Sequence, residues 1–70
     1  MERVAVKSSE IAIVGYDVKN QTLEIAFRNG GVYHYSGVPA SEHQKLMSAG
    51  SHGTYFNQNI KENYDCRKIA

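Results

Sequence analysis

The segment Phe27 to Pro39, Phe-Arg-Asn-Gly-Gly-Val-Tyr-His-Tyr-Ser-Gly-Val-Pro, constrains the fold more than any other part of this chain. It joins a hairpin turn, a strand with two tyrosines and a helix start. The run before it, Thr22 to Arg28, alternates cleanly, with Leu23, Ile25 and Phe27 on one face and Thr22, Glu24, Ala26 and Arg28 on the other. That pattern predicts a strand with one wet face. Two hairpin registers compete at Asn29-Gly30. A two-residue turn on Asn29-Gly30 pairs Phe27 with Val32 and sends Tyr33 and Tyr35 away from Leu23, Ile25 and Phe27. A type I turn on Arg28-Asn29, with Gly30 left-handed in a bulge, pairs Phe27 with Gly31 and puts both tyrosines on the apolar side. The second is preferred, because it leaves Val32, His34 and Ser36 beside Thr22, Glu24 and Ala26 on a mostly polar outer face.

The other strands follow from the same periodicity. Val4 and Val6 alternate with Arg3, Ala5 and Lys7, predicting a short half-buried strand at a sheet edge. Ile11 to Val18 is nearly continuously apolar, and the short polar link Lys19-Asn20-Gln21 makes it an antiparallel neighbour of the next strand, pairing Tyr16 with Leu23 and Val14 with Ile25. After Gly37 the period changes. Pro39 suits a first helical position, and Ala40 to Ala49 holds no further proline or glycine before Gly50, so a helix with Leu46 and Met47 as core anchors is predicted. Ser41 with Gln44 also fits a capping box, which would start the helix two residues later. A second helical segment follows Ser51, with Phe56, Ile60 and Tyr64 along one face. The tail Cys66-Arg67-Lys68-Ile69 is short enough to be read either as coil or as a returning edge strand. The expected architecture is α+β: residues 1–70 form one domain, an antiparallel meander of three to five strands covered on one face by two C-terminal helical segments.

Composition narrows the function classes. A chain of 70 residues with 41% hydrophobic and 21% charged residues is expected to fold, yet it has room for a small core and no large enclosed catalytic cleft. Eight Lys and Arg against seven Asp and Glu leave a net charge of +1, far from the strongly basic balance of most nucleic-acid binders. Cys66 is the only cysteine, which excludes an intramolecular disulfide and fits a reducing, cytoplasmic setting. The N-terminus has no apolar run of signal-peptide or membrane-spanning length.

The residues Ser8-Ser9, Ile11, Gly15-Tyr16-Asp17, Leu23, Phe27, Gly30, Tyr33-His34-Tyr35, Gly37-Val38-Pro39, Leu46, Ala49, Ser51, Gly53, Phe56-Asn57, Ile60 and Tyr64 resemble the KTSC domain over nearly the whole chain. The resemblance implies a small bacterial domain that also occurs at the C-terminus of some lysyl-tRNA synthetases. It implies no established activity, and RNA binding enters only through the synthetase association.

Candidate contacts are few. Tyr33 and Tyr35 offer flat faces for stacking unpaired bases, with Arg28 nearby for phosphates; turned toward the helices, as the preferred register has them, they are core residues with wet hydroxyls. Lys61, Arg67 and Lys68 form a candidate basic patch near the C-terminus, against the simpler account of ordinary solvated charge. Ser51 is the natural N-cap of the second helix, and the glycine-flanked start Ser51-His52-Gly53 is a candidate anion contact as well as a tight turn. His34, His43, His52 and Cys66 lack any close metal-ligand pair, so no metal or cofactor is predicted. Ser51, His52 and Asp65, or Cys66 with a histidine, lack a flanking nucleophile motif, so no catalytic residue is predicted. Two functions remain as expectations: a non-catalytic binding module whose partner is RNA, and a protein–protein adaptor or dimerisation module acting through a sheet edge.

Overall fold

The computed structural model describes residues 1–70 as five strands and two helices. The strands are β1 (Glu2–Ala5), β2 (Ile11–Asp17), β3 (Thr22–Phe27), β4 (Val32–Ser36) and β5 (Asp65–Lys68), and α1 (Ala40–Ser48) and α2 (His52–Asn59) lie between β4 and β5. The sheet runs in chain order, β1-β2-β3-β4-β5, and every neighbouring pair is antiparallel. Both helices pack on one face.

Local chemistry sets each turn. At the β2–β3 hairpin Asp17 Oδ1 accepts the Asn20 N–H at 3.2 Å, and Gln21 takes a positive φ of 51°. Tyr16 then faces Leu23 and Val14 faces Ile25, as the sequence pattern requires. The β3–β4 turn adopts the bulged register. Gly30 N–H donates to Phe27 O at 2.9 Å, Phe27 N–H donates to Gly31 O at 2.8 Å, and Gly30 sits at φ 105°, where a side chain would be strained. Tyr33 and Tyr35 consequently stand opposite Ile25 and Leu23 on the helix-covered face.

The core comprises Ile11, Val14, Tyr16, Leu23, Ile25, Tyr35 and Val38 with Leu46, Phe56 and Ile60 from and just after the helices. Tyr16 satisfies its buried hydroxyl by donating to Val38 O at 2.6 Å, and its ring stacks on His43 at 4.5 Å. Phe56 meets Tyr35 and Phe27 edge-on, at 5.3 and 5.6 Å between centroids. Through Phe56, α2 is clamped to the sheet.

Four details depart from the sequence reading. β1 is an edge strand, but all four of its residues are exposed rather than half-buried, because neither helix reaches over it; Val4 remains 45% exposed. The outer face of β3 is not uniformly wet, since Glu24 keeps only 7% of its surface. Helix α1 begins at Ala40 with extended Pro39 (φ −70°, ψ 156°) as its cap, so the Ser41 start is not used. Helix α2 stops at Asn59 although its apolar stripe continues. Asn59 and Asn63 turn their side-chain amides back onto the carbonyls of Tyr55 and Asn59, at 3.1 and 2.7 Å, and compete with the helical ladder. Tyr64 then packs on the core from the segment leading into β5.

Removing the Phe56 ring should cost about 3–5 kcal/mol. In a domain of this size that corresponds to a fall in melting temperature of well over 10 °C, roughly 4–8 °C per kcal/mol, readable by circular dichroism on Phe56→Ala. A fall of only a few degrees would show that α2 is peripheral.

Candidate nucleic-acid interface

The two helices leave one corner of the inner sheet face open, between α2, the β3–β4 turn and β5. A cleft of about 400 Å³ lies there. Its floor is the buried pair Tyr35 and Phe56 with half-buried Phe27, its wall is Tyr33 and Cys66, and its rim carries the exposed Glu10, Asn29, Asn57 and Lys61. Tyr33 rests edge-on against Phe27 at 5.6 Å, which leaves part of its ring free. On the other side of Tyr33 is a shallower hollow bounded by Asn29, Gly30, Gly31, Lys68 and Ala70. Tyr33 therefore divides two hollows, one rimmed by Lys61 and the other by Lys68. Burial first, and then the adjoining Cys66 thiol, hold the Tyr35 hydroxyl well above the ordinary phenol range, so it stays protonated and offers no base.

Strand alternation decides which of the expected site residues meet. Tyr33, Tyr35 and Lys61 share the cleft, and Lys68, opposite Tyr33 on the same face, rims the hollow on the other side of that ring. Arg67 is separated from its neighbour: it stands opposite His34 on the outer face. Ser51 caps α2 by accepting the Thr54 N–H at 3.2 Å, as expected, and His52 donates from Nδ1 to Leu46 O at 2.8 Å, tying the start of α2 to the end of α1. Neither lines the cleft. Gly53 is buried, and a Cβ there would lie 2.9 Å from Glu10 Oε1. The first turn of α2 thus leans on a carboxylate of the same chain, which also accepts from Asn57 Nδ2 at 3.0 Å. Arg28 is engaged away from the tyrosines, donating to Ser8 O and Val6 O at 2.5 and 3.0 Å. No three His, Cys, Asp or Glu side chains converge on a metal-sized site, and no helix is long and apolar enough to cross a membrane.

The outer face carries a cluster that residue patterns alone do not announce. Arg3 on β1 reaches over β2 to Glu24 on β3, with Nε 2.5 Å from Oε2 and Nη2 3.3 Å from Oε1. His34 on β4 closes the other side, its Nε2–H donating to Glu24 Oε1 at 2.8 Å. The crossing passes close over Gly15, where a Cβ would lie 3.1 Å from Arg3 Cγ and 2.8 Å from Met1 Sδ. A lone glycine within an otherwise apolar strand was the available signal. The Arg3 hydrogen bond, reinforced by His34 and opposed by burial, holds the Glu24 carboxyl down to about 2.

Comparison with known proteins agrees with this geometry. A family model described as the KTSC domain matches residues 7–64. The crystal structure of a KTSC domain protein from Yersinia pestis superposes with a TM-score of 0.95 at 49% identity, covering 99% of this chain and 97% of that one. An uncharacterized protein of Stutzerimonas stutzeri is 44% identical over 61 residues, 87% of this chain and 86% of its own length. A lysine–tRNA ligase of Nostoc punctiforme is 38% identical over 64 residues, which are 91% of this chain but 11% of the ligase.

The Arg3–Glu24–His34 cluster makes stability pH-dependent in a definite direction. Glu24 has a folded-state pKa below its ordinary 4.5, so its ionisation adds stability that is complete above pH 4.5 and drains as pH falls toward about 2. Glu24→Gln should lower the melting temperature at neutral pH and narrow the gap to the parent protein between those two pH values. A gap that stays constant down the acid limb would show that Glu24 is not held ionised by its partners.

Proposed function

The chain belongs to the KTSC domain family, and from that premise we propose that it is a non-catalytic module that binds single-stranded RNA weakly in the cleft beside Tyr33. The carrying observation is the Tyr33 ring, half-buried and fixed against Phe27, between two hollows that each have a lysine on the rim. An unpaired base stacks on an exposed aromatic face with about 1–3 kcal/mol and little sequence preference. Lys61 and Lys68 are placed to meet the phosphates on either side of that base. The amides of Asn29 and Asn57 supply donors and acceptors to its edge. A lysine–tRNA ligase, whose name puts a tRNA among its substrates, contains a stretch similar to nearly all of this chain, which supports the same ligand class.

Affinity should be low, because the net charge is +1 and Glu10 shares the rim with Lys61. With two phosphates neutralised, the slope of log affinity against log salt should be about −1.4, roughly a sevenfold loss between 50 and 200 mM.

Anisotropy titration of a short fluorescently labelled RNA at about 50 mM salt tests the reading. Tyr33→Phe should bind like the parent, Tyr33→Ser should bind about tenfold or more weaker, and Lys61→Glu should weaken binding and flatten the salt slope. Lys19→Glu, on the distant β2–β3 hairpin, should stay within about twofold of the parent. Absence of binding at low salt, or a Tyr33→Ser variant that binds as the parent does, would remove RNA as the ligand of this cleft.

A further inference from the structure

We propose that β5 is a homotypic docking edge: two copies pair their β5 strands antiparallel about a two-fold axis through Cys66, and the two sheets become continuous. Strand β5 (Asp65–Lys68) ends the sheet, and all four of its residues are exposed. Its backbone phase leaves an open row of hydrogen-bonding groups. Ile69 N–H donates to Val32 O at 2.7 Å, and alternation along an antiparallel ladder then directs the groups of Arg67 and Asp65 toward β4. The N–H and C=O of Cys66 and Lys68 point outward, with no strand beyond them.

The occupant follows from charge. A two-fold axis normal to the sheet keeps every side chain on its own face, so a residue can face only partners an even number of positions away. Four registers satisfy this along β5. An axis through Asp65, Arg67 or Lys68 sets each of those residues against its own copy, and like charges directly opposite are destabilising. The axis through Cys66 alone avoids this. It sets Asp65 against the second copy's Arg67, twice, on the outer face, while Cys66 exchanges backbone hydrogen bonds with the second copy's Cys66.

Neighbouring charges support that register. Arg67 stands opposite His34, the ion pairs of the outer face join Glu24 to Arg3 and His34 only, and the second copy's Asp65 supplies the carboxylate that Arg67 lacks within its own chain. The edge is short and polar, so the association is a weak equilibrium rather than an obligate dimer. Charged side chains on an edge strand usually discourage pairing with arbitrary strands; here they also select one partner, a second copy of this chain. The pairing needs no RNA, and because Cys66 lines the cleft wall it brings the two clefts to either side of the axis.

Sedimentation equilibrium from about 10 µM to about 1 mM gives the dissociation constant. The parent should dimerise in that range. Arg67→Asp, which turns both cross-axis pairs repulsive, should raise the constant about tenfold or more, and the swap Asp65→Arg with Arg67→Asp should restore it to within about threefold. A parent that remains monomeric throughout, an Arg67→Asp variant that associates as tightly as the parent, or a swapped chain as weak as the single variant would each overturn the proposal. Should Arg67→Asp fail to fold by circular dichroism, the parent decides the matter alone through dibromobimane, a short reagent that bridges two thiols. Cys66, exposed and free, lies about 5.5 Å in Cα separation from its own copy in this register. Covalent dimer should form at concentrations where association is measured, and unbridged monomer there would overturn the register.

Discussion

The left-handed turn at Gly30 is the constraint on which the rest of the molecule depends. Side chains on a strand alternate with a period of two, so a one-residue change in that turn would carry Tyr33 and Tyr35 to the other face and bring Val32 and His34 beneath the helices. The core would lose the Tyr35 ring against Phe56, and His34 would be taken away from Glu24. Both faces of the sheet therefore inherit their chemistry from one bulge. Phe27 N–H bonded to Gly31 O, with Gly30 at φ 105°, is the local expression of that choice.

The two faces solve different problems with the residues so assigned. Inside, a ten-residue core is small for 70 residues, and it closes because tyrosines add apolar area while their hydroxyls find partners: Tyr16 donates to Val38 O, and both Tyr55 and Tyr64 donate to the Glu42 carboxylate on α1. Outside, no helix covers the sheet, and the middle strand still buries a carboxylate. Removing one member of such a cluster leaves a desolvated charge behind, which is why Arg3, Glu24 and His34 act together and why Gly15, the strand partner of both Arg3 and Glu24, is part of their arrangement.

Much of this was legible in the sequence, and the unread parts share a cause. The pairing of Tyr16 with Leu23 and the bulged β3–β4 register follow from alternation over adjacent segments, where the physics is local. Glu24 looked wet because its covers lie 21 and 10 positions away in sequence. The end of α2 was hidden because apolar spacing continues through Tyr64 while asparagine amides, which spacing does not weigh, take the carbonyls. Of the named candidates, Tyr33, Tyr35 and Lys61 line one cleft, and Lys68 lines the hollow across Tyr33 from it. Arg67 was grouped with Lys68 because the two are adjacent, which holds for coil; once the tail is a strand, adjacency means opposite faces. Phe27, Asn29 and Asn57 joined the cleft only through the hairpin and α2 meeting in space.

The cleft itself is a consequence of proportion. Five strands at about 4.8 Å spacing make a sheet roughly 19 Å across, whereas an eight-residue helix is about 12 Å long. Two short helices with one compact core do not cover such a sheet, and the uncovered corner lies where the chain turns from α2 into β5. Because β5 is both the wall of that corner and the last strand of the sheet, the cleft and the sheet edge approach the same strand from two directions. Cys66 and Lys68 face the cleft side, Asp65 and Arg67 face the outer side, and the backbone between them faces the edge. At this corner side chains of opposite parity and an open backbone row are presented together, because the interior of so small a domain is taken up by its core.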